Sequence, residues 1–162
     1  MTFEEFAAAV SAEAPRLEEL ECSVAAPELV GHVLGQALDR AAIEDWMRIW
    51  PKHPLPPDLQ DLLRHADGLH LWADLDVGRS YSGIAPLVDW ELARTRMWGP
   101  DADPDLLGDE YLAISYHADG AAYVVLKVTT GEYFWMDSCG PDETCRIGGD
   151  VAALLDWLWQ QR

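Results

Sequence analysis

The sequence predicts an α+β fold, with N-terminal helices, an antiparallel meander sheet with interposed helices, and a C-terminal amphipathic helix. Two observations support this prediction. Short β-type runs follow one another between Glu110 and Asp137, separated only by turn signals, and apolar residues recur at helical spacing near both ends of the chain. A doubly wound nucleotide-binding fold would instead need regular alternation of strands and helices. The 162 residues are expected to form one domain, 1–162, around a single core.

The meander is predicted to contain three strands, at 112–116, 122–128 and 132–137. In the first strand apolar and polar residues alternate, which is typical of a strand with two unlike faces. Asp119-Gly120 and Thr129–Gly131 supply the two turns. The middle run is almost entirely apolar and rich in β-branched residues, so it is predicted to be a central strand buried on both faces.

The N-terminal part of the chain has helical patterns. Thr2 and Glu5 form a predicted capping box for a first helix. Pro15 is expected to end that helix, or to restart it over 15–21. A further helix is predicted from about Pro27, because four apolar residues then recur at helical spacing: Val30, Val33, Leu34 and Leu38. The pattern leaves open whether Ile43, Trp46 and Ile49 continue this helix or belong to another.

The middle of the chain predicts a helix, then a strand. The helix covers 58–66, with Leu59, Leu62 and Leu63 directed inward, and Gly68 is its left-handed stop. The strand covers 69–75 and is half-buried, because its apolar residues alternate with His70, Trp72 and Asp74. Pro86 opens a predicted helix that carries Leu87, Trp90 and Met97. Loops are predicted at 99–110 and 138–148, and Asp150 is the expected N-cap of the final helix.

Net charge is the most informative bulk property. The chain has 29 acids against 11 Lys and Arg, a formal charge of −18 and a pI near 4.3. Such a surface repels nucleic acid and anionic lipid, and it speeds the encounter with a basic protein. No apolar run approaches the roughly 20 residues that span a bilayer. The N-terminus is acidic where a secretory signal would be basic, so the sequence predicts a cytoplasmic protein. The negative charge predicts that its partners are neither nucleic acids nor membranes.

Catalytic and metal motifs find little support, and no cofactor is predicted. Cys22, Cys139 and Cys145 do not have zinc-site spacing. The acidic loop at 99–110 contains aspartates at the spacing that opens an EF-hand calcium-binding loop. Pro104, however, falls in the part of that pattern that needs polar ligands and a glycine turn. His117 with a nearby carboxylate leaves a small hydrolase as an alternative, although no nucleophile motif accompanies it.

The predicted partner-binding surface combines aromatic side chains with carboxylates. Eight tryptophans are many for this length, and tryptophan is enriched where protein interfaces bind most strongly. Trp72 lies on the polar side of its strand pattern, and Trp98 directly precedes the acidic loop. Core packing is the alternative for any of the tryptophans, and a solvated loop is the alternative for the acids. The candidate partner-binding residues are Trp72, Asp74, Asp76, Trp98, Asp101, Asp103, Asp105, Asp109 and Glu110.

Two segments resemble the SUKH superfamily. The run from Leu55 through Pro56-Pro57-Asp58-Leu59 and Leu62-Leu63 to Asp67-Gly68 is similar to its "LP-x-D-hydrophobic…L…NG" helix and turn. The run from Asp119-Gly120 through Val124-Val125-Leu126 to Gly131–Trp135 is similar to its second signature, a buried strand followed by "G-x-hydrophobic-aromatic". The resemblance covers about Trp46 to the C-terminus, and residues 1–45 are less typical. Asp67 replaces the usual Asn, and Lys127 stands near a position where the family often has Asp.

The resemblance implies a binding protein. Members of this superfamily are chiefly bacterial immunity proteins that neutralise toxin domains, often nucleases. Others are regulatory modules related to a fungal cell-wall synthesis regulator. The superfamily has no common catalytic residues, so the resemblance implies none here. A cytoplasmic immunity protein that masks a basic toxin is the first expectation, and a regulatory or scaffold module of the same fold is the alternative.

Overall fold

A computed structural model describes residues 1–18, 28–75, 82–90, 110–115, 122–137 and 144–161. It contains α1 (Phe3–Ala12), β1 (Arg16–Glu18), β2 (Glu28–Leu34), α2 (Arg40–Ile49), α3 (Pro57–His65), β3 (Leu69–Asp74), β4 (Ser82–Ile84), a 3₁₀ turn (Leu87–Asp89), β5 (Tyr111–Ala113), β6 (Ala122–Lys127), β7 (Glu132–Asp137), β8 (Thr144–Gly148) and α4 (Val151–Gln160). The α+β class and the C-terminal helix are therefore confirmed. No helix in these residues is long and apolar enough to cross a membrane.

The first sheet has the strand order β1-β2-β3-β4, with all neighbours antiparallel. Of the two alternatives for Pro15, the end of the first helix is confirmed, because α1 ends at Ala12, and the restart is wrong, because Arg16–Glu18 forms β1. The helix predicted from about Pro27 is also wrong, because the segment that carries Val30, Val33 and Leu34 forms β2. Apolar residues at i, i+3 and i+4 fit a helix locally, but pairing with β1 and β3 decides the conformation, and Val33 is consequently exposed. Ile43 and Trp46 belong to the separate helix α2.

The second sheet has the order β5-β6-β7-β8, again antiparallel throughout. The predicted meander is confirmed, and its central strand is buried on both faces: Val124 and Leu126 face the main core, while Tyr123 and Val125 belong to a second buried cluster. The loop prediction over 138–148 is wrong for its last part, because 144–148 pairs with β7 as strand β8. A run of five residues with only two apolar side chains, Cys145 and Ile147, is too short to give a clear strand signal by itself.

The two sheets meet where β4 ends. The amide of Ala85 donates to the carbonyl of Ile114, just beyond β5, at 2.9 Å. The indole of the buried Trp90 donates to the carbonyl of Ala85 at 2.7 Å and so covers the same junction. The helix predicted from Pro86 begins as the 3₁₀ turn, and its continuation to Met97 lies outside the described residues.

Helices α1 and α4 begin at the capping groups that the sequence predicted. Thr2 and Glu5 form the capping box of α1, and Asp150 accepts from the amide of Ala153 in α4. Gly68 has a φ of 95°, the left-handed stop expected after α3. The N-terminal ammonium lies 2.9 Å from Asp156 of α4. One cluster of buried apolar residues contains contributions from all four helices and both sheets.

Asp58 joins the N-terminal ends of two helices. Its carboxylate accepts from the amide of Leu59 in α3 at 3.0 Å and from the amide of Val151, the first residue of α4, at 2.8 Å. The buried phenol of Tyr133 lies close by, and its pKa is raised by burial and, less strongly, by the carboxylates of Asp58 and Asp150. One side chain therefore satisfies two helix-terminal amides and sets the position of α4 against α3.

We expect Asp58→Ala to lower the free energy of unfolding by about 1–3 kcal/mol, because it removes the acceptor of two amides, one of them in the other helix. Urea unfolding measures this loss. The matched control is Asp61→Ala in the same helix, where an exposed carboxylate pairs with Arg64 and the expected cost is below about 1 kcal/mol. Equal effects of the two substitutions would show that Asp58 does not join the helices.

Candidate binding surface

The structure describes three of the predicted partner-binding residues, namely Trp72, Asp74 and Glu110. The other six lie outside the described residues: Asp76, Trp98, Asp101, Asp103, Asp105 and Asp109. Asp74 is the last residue of β3, and its backbone pairs with Val30 of β2. Of the three, Trp72 and Glu110 have described side chains, and neither is a free surface group.

Trp72 is buried, with 8% of its surface exposed, so its predicted place at the surface is wrong. Its indole packs in the main core, with ring centroids 4.3 Å from His32 and 5.5 Å from Trp159 of α4. Both Leu71 and Trp72 are therefore buried, although they are neighbours in a strand. Regular alternation would direct them to opposite faces of the sheet.

An irregularity in strand pairing accounts for the burial of Trp72. Gly31 pairs with Ala73 and Val33 pairs with His70, so Leu71 and Trp72 together oppose the single residue His32. This is the two-against-one arrangement of a β-bulge. Trp72 has a φ of 52°, in the left-handed region, which costs a bulky residue roughly 1–3 kcal/mol and must be offset by its surroundings.

His32 supplies that compensation. The Trp72 amide donates to Nδ1 of His32 at 3.2 Å, so Nδ1 carries no proton and Nε2 does. Nε2 lies 3.4 Å from a carboxylate oxygen of Glu13, and the same oxygen is 3.6 Å from Arg16. The His32 side chain is 3% exposed. Both ring nitrogens are thus occupied inside the protein, and the residues that hold Trp72 come from three separate segments of the chain.

Glu110 makes an ion pair within its own sheet. Its carboxylate lies 2.9 Å from the ammonium of Lys127, which pairs across from the start of β5. The Lys127 ammonium also lies 5.6 Å from the centroid of the Tyr111 ring. The hydrogen bond that the Lys127 ammonium donates to Glu110 raises the pKa of Lys127, with a further contribution from Tyr111. Much of the negative charge of Glu110 is therefore balanced locally.

Six of the described Lys and Arg side chains show the same local balance. Each lies within 4.0 Å of a carboxylate in the pairs Arg16–Glu13, Arg40–Glu44, Arg48–Asp45, Arg64–Asp61, Lys127–Glu110 and Arg146–Glu132. Exposed pairs of this kind add little to stability. Their consequence is electrostatic: these cations are screened by their own neighbours, and the excess carboxylates of the chain set the sign of its field.

The described histidines and the buried serine have structural partners. Ser115 Oγ accepts from the amide of Val124 at 2.7 Å, and His65 stacks on Phe3 with ring centroids 4.9 Å apart. Burial lowers the pKa of His70, and the Asp89 carboxylate partly opposes this. Over the described ranges, no three His, Cys, Asp or Glu residues are arranged to hold a metal ion. His117 lies outside those ranges.

Asp67 is the one described carboxyl group whose pKa is raised. Burial is the main cause and the Asp89 carboxylate adds to it, while the hydrogen bond from the Leu87 amide, at 2.6 Å, acts in the opposite direction. The bond from the Leu87 amide joins the 3₁₀ turn to the chain just after α3, and the amide of Asp67 itself donates to the carbonyl of Gln36. Ionisation of Asp67 therefore acts against folding.

Comparison with models of known protein families and with curated proteins found no match.

No pattern in the sequence indicates the Glu13–His32–Trp72 arrangement. The segment around His32 looked helical, and the three residues lie far apart in the chain. A bulge becomes visible only when the register of β2 against β3 is known.

We expect His32→Ala to lower the free energy of unfolding by roughly 2–4 kcal/mol, because a buried amide loses its acceptor and the ring leaves a cavity. His32→Asn should recover part of this loss, since the amide oxygen of asparagine stands near the position of Nδ1. The exposed neighbour Val33 is the control, and Val33→Ala should cost less than about 1 kcal/mol. If His32→Asn is no better than His32→Ala, the hydrogen bond does not hold the bulge.

Asp67→Asn should remove a contribution to stability that falls as the pH rises. A raised pKa means that the folded protein holds this proton more tightly, so the contribution of Asp67 to wild-type stability falls as the pH rises from about 3.9, the usual unfolded value, through the higher folded value. Asparagine keeps an acceptor for Leu87 and does not ionise. The free energy of unfolding of the variant, relative to that of the wild type, should therefore increase as the pH rises. Urea unfolding at several pH values measures this difference. A constant difference across the series would contradict this.

Proposed function

We propose that this chain is a non-catalytic binding protein whose partner is a basic protein, and that it acts in the cytoplasm. The observation that supports this most is the charge arrangement. The described cations named above are each paired with a carboxylate of the same chain, within a molecule of charge −18. Such a surface attracts a cationic protein over distances up to about a Debye length and orients it during encounter.

The kind of partner follows from the resemblance described above. A SUKH-like immunity protein neutralises a toxin domain, and a nuclease domain carries basic residues where it binds nucleic acid. Masking that surface would need a chain that is strongly acidic and presents a folded, rigid scaffold. The confirmed α+β fold is compatible with this role. A regulatory module with an endogenous basic partner is the alternative, and the identity of the partner separates the two.

We propose the acidic loop at 99–110 as the contact region, and Trp72 is no longer part of the proposed surface because it is buried. In the described residues many carboxylates have tasks within the fold: Asp39, Asp58, Asp67 and Asp150 accept from backbone amides, and others pair with cations. Asp101, Asp103 and Asp105 follow one another at intervals of two in a stretch without bases, outside the described residues. We propose these three as the principal contacts for a basic partner.

Binding should be tested by titrating the chain with the basic toxin domain encoded beside its gene, at low and moderate salt. We expect the association rate to fall roughly tenfold or more as salt rises, because the encounter is electrostatic. Asp→Asn at 101, 103 and 105 together should weaken binding. The control, Glu44→Gln with Asp45→Asn and Asp61→Asn, removes the same charge from α2 and α3 and should have a smaller effect.

Two results would contradict the proposal. Binding that does not change with salt would remove the electrostatic mechanism. Equal weakening by both triple variants would mean that total charge matters and that the 101–105 segment is not a contact. If the chain does not bind this domain at either salt concentration, the immunity proposal is wrong and the regulatory module is favoured.

A further inference from the structure

Helices α2 and α3 enclose a solvent-accessible cavity of about 350 Å³. This volume lies at the low end of the roughly 300–1,000 Å³ found for small-ligand sites. The walls come from four residues of α2 and two of α3. The lining residues are Arg40, Ile43, Glu44, Met47, Gln60 and Arg64.

The spacing of these residues explains why they share one cavity. In α2 they follow one another at intervals of three, one and three, which places them along one face of the helix. In α3, Gln60 and Arg64 are four apart and so also share a face. Ile43 is buried and Met47 is half-buried, so the cavity has an apolar side between polar rims.

The arginines of the cavity offer hydrogen-bond donors, and Gln60 offers an acceptor. Arg40 uses Nε towards Glu44 at 2.6 Å, and Arg64 uses one terminal nitrogen towards Asp61. A guanidinium has five N–H donors, so each arginine retains others. The Gln60 side-chain nitrogen donates to the carbonyl of Leu55 at 2.7 Å, which leaves its oxygen as an acceptor.

The lining of the cavity is far less acidic than the molecule as a whole. Two guanidiniums and one carboxylate line it, whereas the whole chain has a charge of −18. A planar guanidinium can donate two parallel N–H···O hydrogen bonds to one carboxylate, a geometry that the ammonium of lysine does not provide. Arg40 and Arg64 are each already paired with a carboxylate, Glu44 and Asp61, so it is their remaining N–H donors that favour a carboxylate here, and the apolar side favours one with an apolar body.

We propose that this cavity binds the carboxylate end of an N-acylated amino acid with an apolar side chain. The carboxylate accepts from Arg40 and Arg64, and the amide N–H donates to the side-chain oxygen of Gln60. The apolar side chain packs on Ile43 and Met47. The same chemistry occurs in a free N-acyl amino acid and at the C-terminus of a peptide, and the site does not depend on the basic-partner proposal above.

The experiment is an NMR titration of the intact chain with three probes: N-acetyl-leucine, the uncharged N-acetyl-leucinamide, and a tripeptide that ends in leucine. N-acetyl-leucine should shift the amides of α2 and α3 saturably. The amide probe should bind about tenfold more weakly or worse, because charge-assisted hydrogen bonds are lost. Tighter binding of the tripeptide would identify a polypeptide terminus as the source, and equal binding would identify the free acid.

The variant Arg40→Gln with Arg64→Gln should weaken binding of the acid about tenfold or more and leave the weak amide binding unchanged. Arg48→Gln is the control, since Arg48 lies in the same helix, is exposed, pairs with Asp45 and does not line the cavity. Equal binding of acid and amide overturns the proposal. So does full retention of binding in the double variant, or the lack of saturable shifts with N-acetyl-leucine and the tripeptide.

Discussion

The hydrogen bond from the Trp72 amide to His32 fixes how the first sheet meets the C-terminal helix. It holds a bulge in which Trp72 turns inward, and there the indole contacts Trp159 of α4. Trp159 in turn contacts Phe6 of α1, while the rest of α4 packs on the second sheet through β8. One helix thus covers both sheets, and the bulge provides its contact with the first. Without the bulge, regular alternation would direct this indole away from α4.

This arrangement changes which residues are available to a partner. An aromatic anchor at Trp72 would have combined apolar contact with charge, as in many protein interfaces. Because Trp72 belongs to the core, recognition of the proposed basic partner by the described surface would have to depend more on charge. The paired cations and the capping carboxylates show that charge is also used inside the fold. Acidity therefore serves two roles here, and only the unpaired excess contributes to long-range attraction.

Local signals predicted the elements that depend on neighbouring residues. The capping box at Thr2, the Gly68 stop and the N-cap Asp150 were all predictable, because each group acts within a few positions in the chain. Strand β2 was missed because Val30 and Val33 fit helical spacing and their partners are distant. The position of Trp72 could not be predicted, since His32 lies forty residues away and sets the register from a strand that looked helical.

The most direct test of the bulge is the tautomer of His32, measured by long-range ¹H–¹⁵N correlation NMR at neutral pH. We predict that Nε2 carries the proton, that Nδ1 is the hydrogen-bonded acceptor, and that the Trp72 amide exchanges slowly with solvent. A proton on Nδ1, or rapid averaging between the two tautomers, would contradict this. His32 would then not hold Trp72, and the inward position of this indole would need another cause.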